Sequence, residues 1–145
     1  MKIFEIVSLN ISTEKGTVKT PVDKITLKEN HGIVGDAHAG DWHRQVSLLA
    51  MEDVEIMQQK LETITPGDFA ENITTRGIVL AELPVGTKFT IDEAELEVTQ
   101  IGKACHQGCE IFKKIGECIM PRRGIFVKVL KGGEITCAST GTYDI

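Results

Sequence analysis

The sequence predicts a mainly β fold: a barrel of mostly antiparallel strands with one or two accessory α-helices. Three observations predict it. Short runs of β-branched and apolar residues recur along most of the chain, separated by turn formers. The run Glu95-Leu96-Glu97-Val98-Thr99-Gln100-Ile101 alternates, so one face is buried and the other wet. A single segment shows a clear helical period. A doubly wound α/β sheet would instead alternate strands with helices throughout.

The elements follow in order. Lys2 to Ser8 is a strand, and Gly16 marks a turn before Thr17-Val18-Lys19-Thr20. Val22 to Leu27 alternates. A glycine-punctuated loop then runs from His31 to Asp41, and Gln45 to Leu49 is a short buried run. Ala50, Val54, Met57 and Leu61 fall on one helical face. Glu52, Asp53 and Glu55 lie in the early turns and Lys60 near the end, as the helix dipole favours. Pro66-Gly67 stops the helix. Lys88 to Ile91 and Ile125 to Leu130 are further strands. Lys131-Gly132-Gly133-Glu134 reads as a hairpin turn into Ile135-Thr136-Cys137, where Cys137 would pack in a strand.

The chain has 145 residues, the size of one domain spanning 1–145. Hydrophobic residues make up 41% and charged residues 26%, which argues against disorder. No apolar run approaches the roughly 20 residues of a membrane span. The start, Met1-Lys2-Ile3-Phe4-Glu5, lacks the features of a signal peptide, so a cytoplasmic location is the expectation. The net charge of −5 argues against nucleic acid as a partner. In a reducing compartment the four cysteines are thiols or metal ligands rather than a disulfide framework.

Gly102-Lys103-Ala104-Cys105-His106-Gln107-Gly108-Cys109 carries the strongest chemical signal. The thiolate is the nucleophile and the soft-metal ligand, and Lys103 and His106 favour that form of Cys105. Cys109 and Cys118 read as small buried fillers, and their spacing is a weak match to zinc geometry. Around Gly35 to Gln45, Asp36, His38 and His43 are either metal ligands or polar loop residues, and Arg44 either pins an acidic ligand or makes a salt bridge. Spacing does not choose between them. Asn72, Thr74 and their neighbours suit a heterocycle's edges or their own turns. Arg122 and Arg123 suit a phosphate or a solvated turn.

Together these pieces resemble the MOSC domain family, named for the C-terminal domain of molybdenum cofactor sulfurases, in its short stand-alone bacterial form. The resemblance rests on Gly35-Asp36, Arg44 to Leu48, Gly67 to Thr74, Gly102 to Cys105 and Arg122 to Val129, in that order and spacing. It implies a β-barrel-like fold and a role with the molybdenum cofactor (molybdopterin). Cys105 matches the motif cysteine, which in family members ligates molybdenum or carries sulfur as a persulfide. Arg44, Asn72, Thr74 and Arg122 match positions lining the pterin and phosphate pocket, and Lys103 joins this set beside the cysteine. The chain has no reductase domain, so an electron donor would act in trans. It also lacks the pyridoxal-phosphate domain of full sulfurases, so no pyridoxal phosphate site is expected, and sulfur would come from a partner such as a cysteine desulfurase. A second thiol, Cys109 or Cys118, would be able to resolve a persulfide into a disulfide.

Three readings follow. The first is a module that binds the cofactor or carries sulfur on Cys105 to a molybdoenzyme or metal–sulfur centre. The second is a molybdenum oxidoreductase acting on N-hydroxylated substrates with a separate reductase. The third is a zinc-stabilised structural domain. The first is favoured over the second and over the third.

Overall fold

Strand β1 (Lys2–Ile11) organises the fold by pairing antiparallel with three neighbours. These are β11 (Thr140–Tyr143) along Lys2–Glu5, β6 (Ile73–Arg76) along Glu5–Leu9, and β2 (Thr20–Val22) along Leu9–Ile11. The structure is a computed structural model and describes residues 1–14, 18–102 and 123–144. From β11 the sheet runs through β7 (Lys88–Ile91), β8 (Ala94–Ile101), β9 (Ile125–Lys131) and β5 (Val46–Ala50) to β6, and so back to β1. That circuit closes seven strands into a barrel. A barrel has no free edges along its closed circuit, which removes the usual route to edge-to-edge aggregation. A separate small sheet orders β10 (Gly133–Thr136), β3 (Lys24–Lys28) and β4 (Gly32–Ile33).

The alternation read from the sequence fixes which side chains fill the barrel. In β8, Ala94, Leu96 and Val98 are buried, with partly exposed neighbours between them. In β3, Ile25 and Leu27 point inward between exposed residues. The core gathers Phe4, Leu9, Leu48, Phe89, Leu96 and Val127 among others. Strand β5 is buried at every position because it is covered on both sides. Val46, Leu48 and Ala50 face the barrel core, whereas Leu49 joins Val54, Met57, Phe69 and Phe126 in a second apolar cluster.

Helix α1 (Met51–Gln58) follows β5 directly and buries Val54 and Met57 as its period predicts. It is shorter than expected. Leu61 lies beyond its end and is 38% exposed, and Lys60 sits in the following turn rather than in the last helical turn. Strand β6 was not evident in the sequence. It lies parallel to β5, and α1 lies within the crossover between them. Parallel neighbours need such a crossover, whereas the other barrel pairs among the described residues are antiparallel.

Two expectations are corrected. The glycine pair at 132–133 does not turn β9 into a hairpin with β10. Instead β10 pairs antiparallel with β3, from Gly133↔Leu27 to Thr136↔Lys24. Gly132 is small because a Cβ there would lie 2.4 Å from the Leu27 carbonyl oxygen. The pair serves close packing as the chain leaves one sheet for the other. Cys137 is exposed in a turn beyond β10, not packed in a strand.

Candidate functional site

The buried polar residues concentrate where β1, β5 and the loop before β6 meet. Asn72 is fully buried and braces all three. Its Oδ1 accepts from the Ser47 backbone N–H at 3.0 Å and from Ser47 Oγ at 3.1 Å. Its Nδ2 donates to the Asn10 carbonyl at 3.1 Å. Ser47 Oγ also lies 3.2 Å from the Ala70 carbonyl. Ala70 is held at φ +64, a left-handed conformation that costs a non-glycine residue about 1–2 kcal/mol. The neighbouring bonds determine it firmly, as such conformations require.

Thr74 and Glu71 extend the brace. Thr74 Oγ1 donates to Glu71 Oε2 at 2.9 Å and accepts from Asn10 Nδ2 at 3.3 Å. Glu71 Oε2 also accepts from the Gly67 N–H at 3.0 Å. Glycine is required at 67, where φ is +93 and a Cβ would lie 2.3 Å from the Lys19 carbonyl oxygen. Glu71 is fully buried, and its Oε1 has no hydrogen-bond partner among the described residues. Burial pushes its carboxyl above the ordinary value, outweighing the bonds from Gly67 and Thr74 that favour the ionised form. Asn72 and Thr74 therefore sit inside the barrel wall with their polar groups engaged.

Asp36 is not a loose loop residue. Its carboxylate lies 2.9 Å from Lys19 Nζ, with both side chains fully buried. The Ser12 and His38 backbone N–H groups donate to it at 3.1 and 3.0 Å. Burial alone would raise its pKa. The contacts with His38 and Lys19 prevail and hold the carboxyl well below the usual carboxylate range. His38 Nδ1 lies 3.7 Å from Asp36 Oδ2, too far for a hydrogen bond. Among the described residues no group of three or more His, Cys, Asp or Glu side chains could hold a metal ion.

The exposed chemistry lies at the end of β8 and β9. The Gly102 N–H bonds the Gly124 carbonyl at 2.7 Å, so the two ends of the segment bearing Cys105 leave the barrel side by side. Cys105, Lys103, Arg122, Cys109 and Cys118 lie outside the described residues. Beside this exit runs the loop Trp42-His43-Arg44. Thr99 Oγ1 tethers it by contacts to the carbonyls of both His43 and Phe126. Gln100 adds a second tether, with Oε1 at 2.9 Å from His43 Nε2 and Nε2 donating to the Gly102 carbonyl at 2.7 Å.

Arg44 is the distinctive residue here. Its guanidinium stacks 4.7 Å from the Trp42 ring centroid and 5.5 Å from that of Phe126. Such stacking orients the planar cation without using its N–H donors. Its Nε is buried and has no hydrogen-bond partner, and no salt bridge engages the side chain among the described residues. Sequence reading missed Gln100 and Phe126 as members of this face. Each looks like an ordinary strand position, and only the β8–β9 register, Gln100↔Phe126, brings them under the loop. Close by, Arg123 Nε bonds Asp53 on α1 at 3.1 Å, which explains how an aspartate is buried on the helix.

The family profile of the MOSC domain matches residues 35–139, spanning Asp36, Arg44, the Glu71–Thr74 brace and the cysteine segment. The chain belongs to the MOSC domain family. No curated protein matches it. Solved structures similar to this MOSC domain include the YuaD protein from Bacillus subtilis, at TM-score 0.79 and 20% identity over 96% of this chain and 94% of that one. YiiM from Geobacillus stearothermophilus aligns at TM-score 0.73 and 19% identity, covering 98% and 75% of the two chains. YiiM from Escherichia coli aligns at TM-score 0.69 and 18% identity, covering 100% and 70%. At these identities the likeness is one of fold. Among the described residues no helix is long and apolar enough to cross a membrane.

Proposed function

We propose that this MOSC domain binds the molybdenum cofactor, or carries sulfur destined for such centres, with Cys105 as its reactive group. The observation that carries this reading is Arg44: a guanidinium stacked on Trp42 and Phe126, with no ion pair among the described residues, on the same face as Gly102 and Gly124. Arg44 is only partly buried and pairs with no carboxylate among the described residues, and an anionic group of a ligand would satisfy its charge. The residues present thus fit a cofactor that bears a phosphate. When bound, that cofactor supplies a molybdenum centre able to exchange oxygen, sulfur and electrons.

The roles of the chain's own residues follow. Arg44, with Lys103 and Arg122, holds the anionic end of the ligand. Asn72 and Thr74, fully buried with their polar groups engaged, brace the barrel wall rather than touch the ligand. The Cys105 thiolate either ligates the metal or takes sulfur from a donor persulfide. In that transfer it attacks the outer sulfur, a new S–S bond forms as the donor's breaks, and the donor leaves as a thiolate. A cysteine desulfurase is the expected sulfur donor, and a molybdoenzyme the expected recipient. The compartment proposed is the cytoplasm.

Protein purified anaerobically from molybdate-supplemented cells tests this. Wild type is expected to carry molybdenum and pterin, or to gain one sulfur on Cys105 by mass spectrometry after incubation with a desulfurase and cysteine. Cys105→Ala is expected to lose both properties. A wild type that shows neither contradicts the proposal.

A further inference from the structure

A chain of direct contacts runs from the buried Lys19–Asp36 pair to the Arg44 guanidinium. Both side chains of that pair are fully buried, and Lys19 Nζ also donates to Ser12 Oγ at 2.9 Å. Asp36 Oδ2 accepts from the His38 backbone N–H at 3.0 Å, which pins the loop before the tryptophan. The His38 carbonyl in turn accepts from the Trp42 indole N–H at 2.7 Å. That N–H is the only donor of an indole, so the bond fixes the ring and leaves its faces for other contacts. The Arg44 guanidinium lies 4.7 Å from the Trp42 ring centroid.

The loop does not need the indole to stay in place. Thr99 Oγ1 tethers its main chain separately, through the carbonyls of His43 and Phe126. The bond from Trp42 to His38 therefore acts on the ring, and through the ring on Arg44. A long cationic side chain loses rotamer freedom when it binds a ligand. A fixed aromatic face removes part of that freedom beforehand and leaves the guanidinium N–H donors available. We propose that Trp42 is a positioning residue for Arg44: its indole, fixed by the His38 carbonyl, holds the guanidinium ready for an oxyanion. This rests on the reading of Arg44 as an anion anchor. Trp42 is the chain's only tryptophan, so tryptophan fluorescence reports on this ring alone.

The test titrates the full chain with inorganic phosphate, followed by calorimetry and by tryptophan fluorescence. In wild type both readouts are expected to give one dissociation constant, because an anion at the guanidinium changes the electric field at the ring beside it. Heat of binding with no change in fluorescence overturns the proposal. Trp42→Leu, checked for folding by circular dichroism and urea unfolding, is expected to bind phosphate about tenfold more weakly. Trp42→Phe keeps an aromatic face but has no N–H for the His38 carbonyl, and a loss of about threefold is expected. A folded Trp42→Leu with wild-type affinity overturns the role of the ring. Wild-type affinity in Trp42→Phe overturns the role of the indole N–H, and it decides the matter should Trp42→Leu not fold. Arg44→Met separates this inference from the reading beneath it. A wild type that binds no phosphate, or an Arg44→Met that binds it equally, overturns the anchor and this inference with it. Binding that Arg44→Met abolishes and Trp42→Leu leaves unchanged overturns this inference alone.

Discussion

Asn72→Ala is expected to lose about 3–5 kcal/mol of folding stability, because it strands at least two buried polar groups at about 1–3 kcal/mol each and opens a void. The Ser47 N–H and the Asn10 carbonyl both lose their bond to the side chain. Ala70, in its left-handed conformation, loses the support that Asn72 gives Ser47. A domain of this size is stable by about 5–15 kcal/mol, so the variant keeps a narrow margin. Urea unfolding measures the loss. A midpoint within experimental error of wild type would mean that Asn72 acts only on a ligand and does not brace the wall.

Glu71→Gln is expected to change how stability depends on pH. The folded-state pKa of Glu71 is raised above its ordinary value of 4.5, chiefly by burial. The folded protein therefore holds a proton that the unfolded chain releases above about that pH. Its contribution to stability is fully present below the unfolded value and is lost as pH rises toward the folded one. Within that window one proton changes stability by up to about 1.4 kcal/mol per pH unit. Glutamine keeps the shape and carries no such proton. The stability difference, wild type minus Glu71→Gln, is thus expected to fall steadily above pH 4.5. Asp36 works in the opposite sense and in another window. Its lowered pKa gives stability that is present above its unfolded value of 3.8 and lost as pH falls below it. Unfolding curves of both proteins from pH 4 to 9 check this, and parallel profiles would show that Glu71 is ionised in the fold.

The barrel was legible because period-2 patterns report burial on one face directly. The alternation survives throughout β3 and in β8 as far as Val98, beyond which the register with β9 shifts and Ile101 is exposed. Features that depend on distant partners were not legible. The Gly132-Gly133 pair looks the same whether it turns the chain or admits the Leu27 carbonyl, and only the β10–β3 pairing decides. Asp36 looks like a loop residue until Lys19 is placed against it. Strand β6 was hidden because Ile73-Thr74-Thr75-Arg76 is short, and its parallel partner β5 lies on the far side of a helix in sequence. For the site, Arg44 was visible as a residue type, but not its stacking on Trp42 and Phe126 or its unpartnered Nε.

Arg44 is proposed to anchor an anionic cofactor on the face where Gly102 and Gly124 meet. The most direct measurement is the molybdenum and pterin content of Arg44→Met beside wild type, both purified anaerobically from molybdate-supplemented cells. Methionine keeps the apolar packing between Trp42 and Phe126 while removing the charge and the donors. The expected result is a folded variant, with unfolding close to wild type and cofactor content reduced about tenfold or more. A folded Arg44→Met that retains the full cofactor content of wild type would contradict it.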